Sequence, residues 1–182
     1  MSKRSLLLAF AGIASLIGLP VATASLVRAI DLPGLVAEAD QIVVADVLSV
    51  HAAWDSQHRA IHTTVDVGVR ESWKGSAAAE GRLAIRQLGG TVGEIEMKVY
   101  GMPRFEKGER ALLFLRRAQV VGMAQGKRSL RWANERRRWV VDGPDNDSTV
   151  TIDARGKLAG ARREPADDLD QLRERVRGLV GK

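Results

Sequence analysis

A chain of 182 residues with 28 Lys and Arg against 22 Asp and Glu carries a formal charge of +6, and 45% of it is hydrophobic. That composition suits a packed domain rather than a disordered chain. With no cysteine at all, thiol catalysis, thiolate zinc sites and a disulfide framework are excluded, and the fold must rest on its apolar core.

The first 24 residues have the layout of a secretory signal: Lys3 and Arg4, an uncharged run from Leu6 to Leu19, Pro20, then Ala22-Thr23-Ala24. Cleavage after Ala24 is expected, leaving a single domain over 25–182. Loss of Lys3 and Arg4 takes the charge from +6 to +4. The expected location is periplasmic or secreted. No later stretch is long and apolar enough to span a membrane, and a lipid anchor on cysteine is impossible.

Asp31 is a good N-cap, and Leu32, Leu35, Val36 and Ala39 fall on one face, so a short helix is expected over Leu32–Ala39. Gln41–Trp54 reads as a long strand whose alternation changes phase midway, the mark of a bulge. Ile61–Lys74 alternates throughout, with Ile61, Thr63, Val65, Val67 and Val69 on one face. The polar link Asp55–Arg59 makes the two a hairpin. Arg82–Leu88 is a third strand, and 94–99 is a short edge strand. Gly101-Met102-Pro103 and Lys107-Gly108-Glu109 are turns that lead into Ala111–Leu115, an apolar run flanked by Arg110 and Arg116. A run so short and so apolar predicts a strand buried on both faces, with the others arranged around it.

Short strands are expected at Val120–Gly122, Ser129–Trp132, Trp139–Val141 and Thr149–Asp153. Leu169, Leu172, Val176 and Leu179 then form one stripe of a helix over Asp167–Leu179, acidic at its start and basic at its end. The fold class that follows is mainly β: an OB-like antiparallel barrel with a short N-terminal helix and a C-terminal amphipathic helix, with a β-sandwich as the alternative. Ile61, Val65, Val67, Leu83, Ile85, Leu113 and Leu115 are the expected core.

The run Leu35–Val47, the link Trp54-Asp55 and Val69–Gly75, together with Gly89-Gly90, Gly101–Phe105, Gly108-Glu109 and Val121–Lys127, resemble small secreted bacterial proteins of uncharacterised function. In these a helix leads into a barrel similar to that of tissue inhibitors of metalloproteinases and netrin modules. The likeness covers roughly Asp31 to Arg131 and rests on turn and core residues. It implies a fold, and a partner or inhibitor of a secreted protease. Those inhibitors chelate zinc through an N-terminal cysteine, which this chain lacks, so zinc-directed inhibition does not carry over.

No catalytic signature is present. Gly-x-Ser-x-Gly and His-Glu-x-x-His are both absent, and Gly89-Gly90-Thr91-Val92-Gly93 lacks the ending of a phosphate loop. Asp46 and Asp66 interrupt apolar strands, either as paired carboxylates or as groups that satisfy a bulge or face solvent. His51, His58 and His62 lie on the first hairpin. Four-residue spacing on a strand separates His58 and His62 by about 13 Å, so surface histidines are expected rather than a metal site.

An exported, non-catalytic binding or accessory protein without a cofactor is therefore expected. Two surfaces compete for the partner. One is the loop edge at Gly89-Gly90 and Gly101, Met102 and Pro103, for another exported protein. The other is the basic cluster of Arg128, Arg131, Arg136 and Arg138 beside Trp132 and Trp139, for an anionic envelope polysaccharide or lipid; nucleic acid is not expected for an exported chain. If a strand runs through Arg136 and Trp139 packs inward, Arg137 lies at the core margin and Arg136 and Arg138 face solvent.

Overall fold

The computed structural model describes residues 25–76, 81–144, 149–152 and 166–181. The expected signal segment and the basic residues Arg155, Lys157, Arg162 and Arg163 lie outside these. In chain order the elements are β1 (Ser25–Arg28), α1 (Leu32–Glu38), β2 (Gln41–Trp54), β3 (Ile61–Lys74), β4 (Arg82–Leu88), β5 (Gly90–Val92), β6 (Ile95–Met97), β7 (Arg110–Arg116) and β8 (Gln119–Val120). A 3-10 turn at Met123–Gly126 follows, then β9 (Lys127–Ala133), β10 (Arg138–Pro144), β11 (Thr149–Ile152), β12 (Asp167–Asp168) and α2 (Leu169–Val180).

The main sheet runs β12-β10-β9-β7-β2-β3-β4, every neighbouring pair antiparallel, with β8 also pairing with β7. β7 lies at its centre, and Ala111 through Leu115 are all buried, as the apolar run predicts. The alternation splits this run between two cores. Leu112 and Phe114 join Ile42, Val44, Leu130 and Val141 on one face, beneath Leu35 and Val36 of α1 and Leu169, Leu172 and Val176 of α2. Ala111, Leu113 and Leu115 join Val43, Ala45, Val47, Val65, Val67 and Ile85 on the other. Leu83, expected in the core, is half-buried against this second cluster.

The mainly β fold is as expected, but the sheet is not closed. β4 and β12 are its two ends and do not pair. β1 pairs with β11 in parallel as a separate ribbon, and β5 with β6 as another. The expected bulge is present in β2, where the register with β3 shifts between Val47 and Ser49 and twice earlier in the strand.

Local chemistry fixes the helix ends. The Gly34 N–H donates to Asp31 Oδ1 (2.9 Å), and Lys74 Nζ donates to the Val36 carbonyl (2.6 Å) near the end of α1. Asp168 caps α2, accepting from the N–H groups of Asp170 and Gln171 at 2.9 and 3.2 Å. These bonds hold the Asp168 carboxyl below the usual carboxylate range. The buried Gln125 ties the segment before α1 to the sheet, accepting from the Ile30 N–H (2.8 Å) and donating to the Arg28 carbonyl (3.0 Å).

One expected strand extent is corrected. β9 ends at Ala133 and β10 begins at Arg138, so Asn134–Arg137 is the hairpin turn. Arg137 sits there with φ 49°, exposed rather than at a core margin. Its N–H donates to the Asn134 carbonyl (3.3 Å). The alternation stops where backbone turn bonds replace ladder bonds, so position parity says nothing about Arg136 and Arg137.

Candidate functional site

The two glycine-rich turns named from the sequence meet in one cleft of about 370 Å³. Its floor is built where β4 hands over to β5. Gly89 and Gly90 have φ values of 97° and 136° there, a region that favours glycine. Thr63 Oγ1 donates to the Gly89 carbonyl (2.6 Å), and the Gly89 N–H donates to the Ile61 carbonyl (2.8 Å). A Cβ on Gly90 would stand 2.4 Å from Thr63 Oγ1 and 2.9 Å from the Ala52 Cβ, so no larger residue fits without displacement.

The opposite wall is 97–106. Gly101 and Pro103 are buried and act through their backbone: the Gly101 carbonyl accepts from the Ala124 N–H (2.8 Å), and the Pro103 carbonyl accepts from Gln87 Nε2 (3.1 Å). Met102 is half-buried and lines the cleft with Met97, Tyr100, Phe105, Leu88 and the exposed Val50. Lys98 lies over the Tyr100 ring at 5.2 Å, and Lys127 over the Phe105 ring at 5.0 Å. Gln87 is a lining residue whose Oε1 is buried without a hydrogen-bond partner. The cleft thus offers apolar and aromatic side chains and a rim of mixed charge from Glu96, Lys98, Arg104 and Glu106. That combination suits a segment of another chain with an apolar side chain to bury.

The basic cluster does not assemble as the sequence suggests. Arg128 is buried, opposite Leu112 across β7 and β9, because its position on β9 points to the helix-covered face. Arg131 is exposed but pairs with Asp142 (3.1 Å), and Arg138 pairs with the N-cap Asp168 (2.8 Å). Arg136 stands on the hairpin turn. Trp132 and Trp139 are cross-strand partners packed edge to face at 5.5 Å, yet Trp132 remains 48% exposed and does not pack inward.

A charged arrangement that the sequence reading did not identify lies beside these tryptophans. The Arg110 guanidinium sits over the Trp139 ring at 4.6 Å and forks onto Asp46, Nε to Oδ1 at 2.5 Å and Nη2 to Oδ2 at 3.0 Å. Arg70 Nε reaches Asp46 Oδ2 at 2.7 Å. Arg110 holds the Asp46 carboxyl below its ordinary value, burial opposes it, and Arg70 adds to it. The same fork raises Arg110. Asp46 and Asp66 are therefore not paired carboxylates: Asp66 accepts from Ser49 Oγ (2.7 Å) instead. The signal in the sequence was Asp46 itself, a charge at the end of a four-residue apolar run.

His51 and His58 are exposed, His58 stacked on Trp54 at 6.1 Å, and His62 is half-buried. Among the described residues no three acidic or histidine side chains gather where they would hold a metal ion, and no helix is long and apolar enough to cross a membrane. No protein-family model, no curated protein and no solved structure matches this chain.

Proposed function

We propose that this is an exported, non-catalytic binding protein that takes a segment of another exported protein into the cleft between Gly89-Gly90 and Gly101–Phe105. The observation that carries the reading is that two glycine turns, one on either side of the β5–β6 hairpin, line one cleft together with the exposed apolar side chains of Val50 and Tyr100. A pocket needs small residues where backbone must approach closely, and Gly90 occupies such a place.

The partner class we favour is a secreted protease or another envelope protein, in line with the resemblance to inhibitor-type barrels. For the fold we propose a partly open OB-type barrel. Its support is the Arg86 N–H, on edge strand β4, which donates to the Ala118 carbonyl (3.2 Å) in the β7–β8 turn and so links that edge to β7 across β2 and β3. Arg131 and Arg138 are engaged with carboxylates, which argues against their cluster as the principal anion surface.

Affinity capture from the exoproteome, with the protein and its Met102→Glu variant immobilised side by side, tests the reading. One stoichiometric protein retained by the parent and lost by the variant is expected. Equal retention by both overturns the cleft as the site. Mass spectrometry of the mature N-terminus tests export: the expected first residue is Ser25, and retention of Met1 contradicts it.

A further inference from the structure

At one end of the helix-covered side of the sheet a strip of polar and aromatic side chains reaches the surface: Arg70, Arg82 and Trp132 are exposed, and Asp46, Arg110 and Trp139 are half-buried. It runs across β10, β9, β7, β2, β3 and β4: Trp139 and Trp132, then Arg110, Asp46, Arg70 and Arg82. Five strand gaps of about 4.8 Å give it a length of about 24 Å. Its far end is a hollow of about 310 Å³ between β2, β3 and β4, lined by Asp46, Leu48, Gly68, Arg70 and Arg82. Gly68 lies opposite Arg82, and Leu48 closes over it.

We propose that this strip binds an acidic polysaccharide, with a sugar ring on the exposed Trp132 indole and an anionic ring substituent between Arg70 and Arg82.

Charge complementarity selects the ligand. Three guanidinium groups, Arg70, Arg82 and Arg110, stand around Asp46; Glu71, the other carboxylate that acts on Arg110, is taken up by the fork from Arg173, and Arg82 has no ion-pair partner among the described residues. Asp66, one same-face position along β3, is held by Ser49 and does not line the hollow. The Asp46–Arg110 pair at mid-strip favours a sugar over a nucleic acid. Vicinal hydroxyls both donate and accept, so they match a carboxylate beside a guanidinium, whereas an evenly charged phosphate backbone would meet Asp46 as a like charge. Arg110 on the face of Trp139 and Trp132 edge-on to it hold the platform rigid, so little side-chain freedom is lost when a ring stacks. This surface is separate from the cleft, and the inference does not rest on the proposed protein partner.

Affinity gel electrophoresis at about 0.15 M salt, where surface charge is screened beyond about 8 Å, separates the alternatives. The probes are polygalacturonate, dextran sulfate, uncharged dextran and poly(dT). Binding to one or both acidic glycans is expected, weakened about tenfold by Trp132→Ala, the size of one lost stacking contact, and similarly by Arg82→Glu. Preference for polygalacturonate assigns a uronate to the hollow, and preference for dextran sulfate assigns a sulfate. Both side chains are exposed, and the thermal melts of the variants should match the parent. Arg136→Glu, on the hairpin turn, should change binding less than twofold. Four results overturn the proposal: no retardation by either acidic glycan, equal retardation by uncharged dextran, tighter binding to poly(dT), or an Arg136→Glu effect equal to that of Arg82→Glu.

Discussion

Arg173 of α2 forks onto Glu71 of β3, with Nε 2.9 Å from Oε2 and Nη2 3.0 Å from Oε1, across 102 residues of sequence. The same guanidinium lies 5.6 Å from the Trp73 ring, whose Nε1 donates to Glu71 Oε2 (3.1 Å). A bidentate pair that is also stacked cannot be reproduced by an ammonium group. Arg173→Lys should therefore cost about 1–2 kcal/mol, the partial exposure of Glu71 limiting the loss. Urea unfolding should show a lower midpoint at unchanged slope, since α2 stays docked through Leu172 and Val176.

Leu113 is fully buried in the core on the face away from the helices, and Leu48, over Gly68, is 36% exposed. Leu113→Ala should cost about 2–5 kcal/mol, and Leu48→Ala less than about 1 kcal/mol. Thermal melts of the two variants check the contrast, which follows from strand parity and the bulge near Leu48 rather than from residue type.

Gly90 and Gly68 make a second contrasting pair. At Gly90 a methyl group meets Thr63 Oγ1 and Ala52 Cβ at φ 136°, while at Gly68 the nearest atom is a flexible Leu48 methyl at 3.5 Å. Gly90→Ala should destabilise by about 1–3 kcal/mol, and Gly68→Ala should be close to neutral, as read by chemical denaturation.

The long strands were legible because half-buried strands alternate: β2, β3 and β4 match their expected bounds residue for residue. The α2 stripe was legible for the same reason, and the buried strand β7 for the opposite one: burial on both faces leaves an apolar run with no alternation. Closure of the sheet was not, because it depends on how strands at opposite ends meet, which no local pattern encodes. The loop edge named from Gly89-Gly90 and Gly101–Pro103 did come together as one cleft. Within the basic cluster, sequence proximity does not reveal that Arg131 and Arg138 have Asp142 and Asp168 as partners, or that Arg128 points to the covered face. Arg110, Asp46 and Arg70 lie on three different strands, so their meeting emerges only from the register.

Acid should weaken the fold partly through Asp46. Its folded-state value lies below the ordinary 3.8, so the unfolded chain takes up the proton first. The stability it contributes is present above 3.8 and is lost as pH falls through the folded value. Asp46→Asn should lower stability at neutral pH by about 1.5–3 kcal/mol, the worth of hydrogen bonds to a charged group. The variant should also lose less on going from about pH 7 to about pH 3 than the parent does. Urea unfolding at the two pH values compares them, and parallel losses would remove Asp46 from the acid response.

A protein partner seated in the cleft beside Met102 would be caught by site-specific photo-crosslinking. A benzophenone amino acid is placed at Met102, which lines the cleft, or at Arg136, on the exposed β9–β10 turn. Irradiation in the native exoproteome should yield one adduct of a single mass from position 102. Excess unmodified protein should suppress it, and excess Met102→Glu protein should not. The same adduct pattern from both positions, or none from position 102 in a folded variant, would mean that the cleft does not receive the partner.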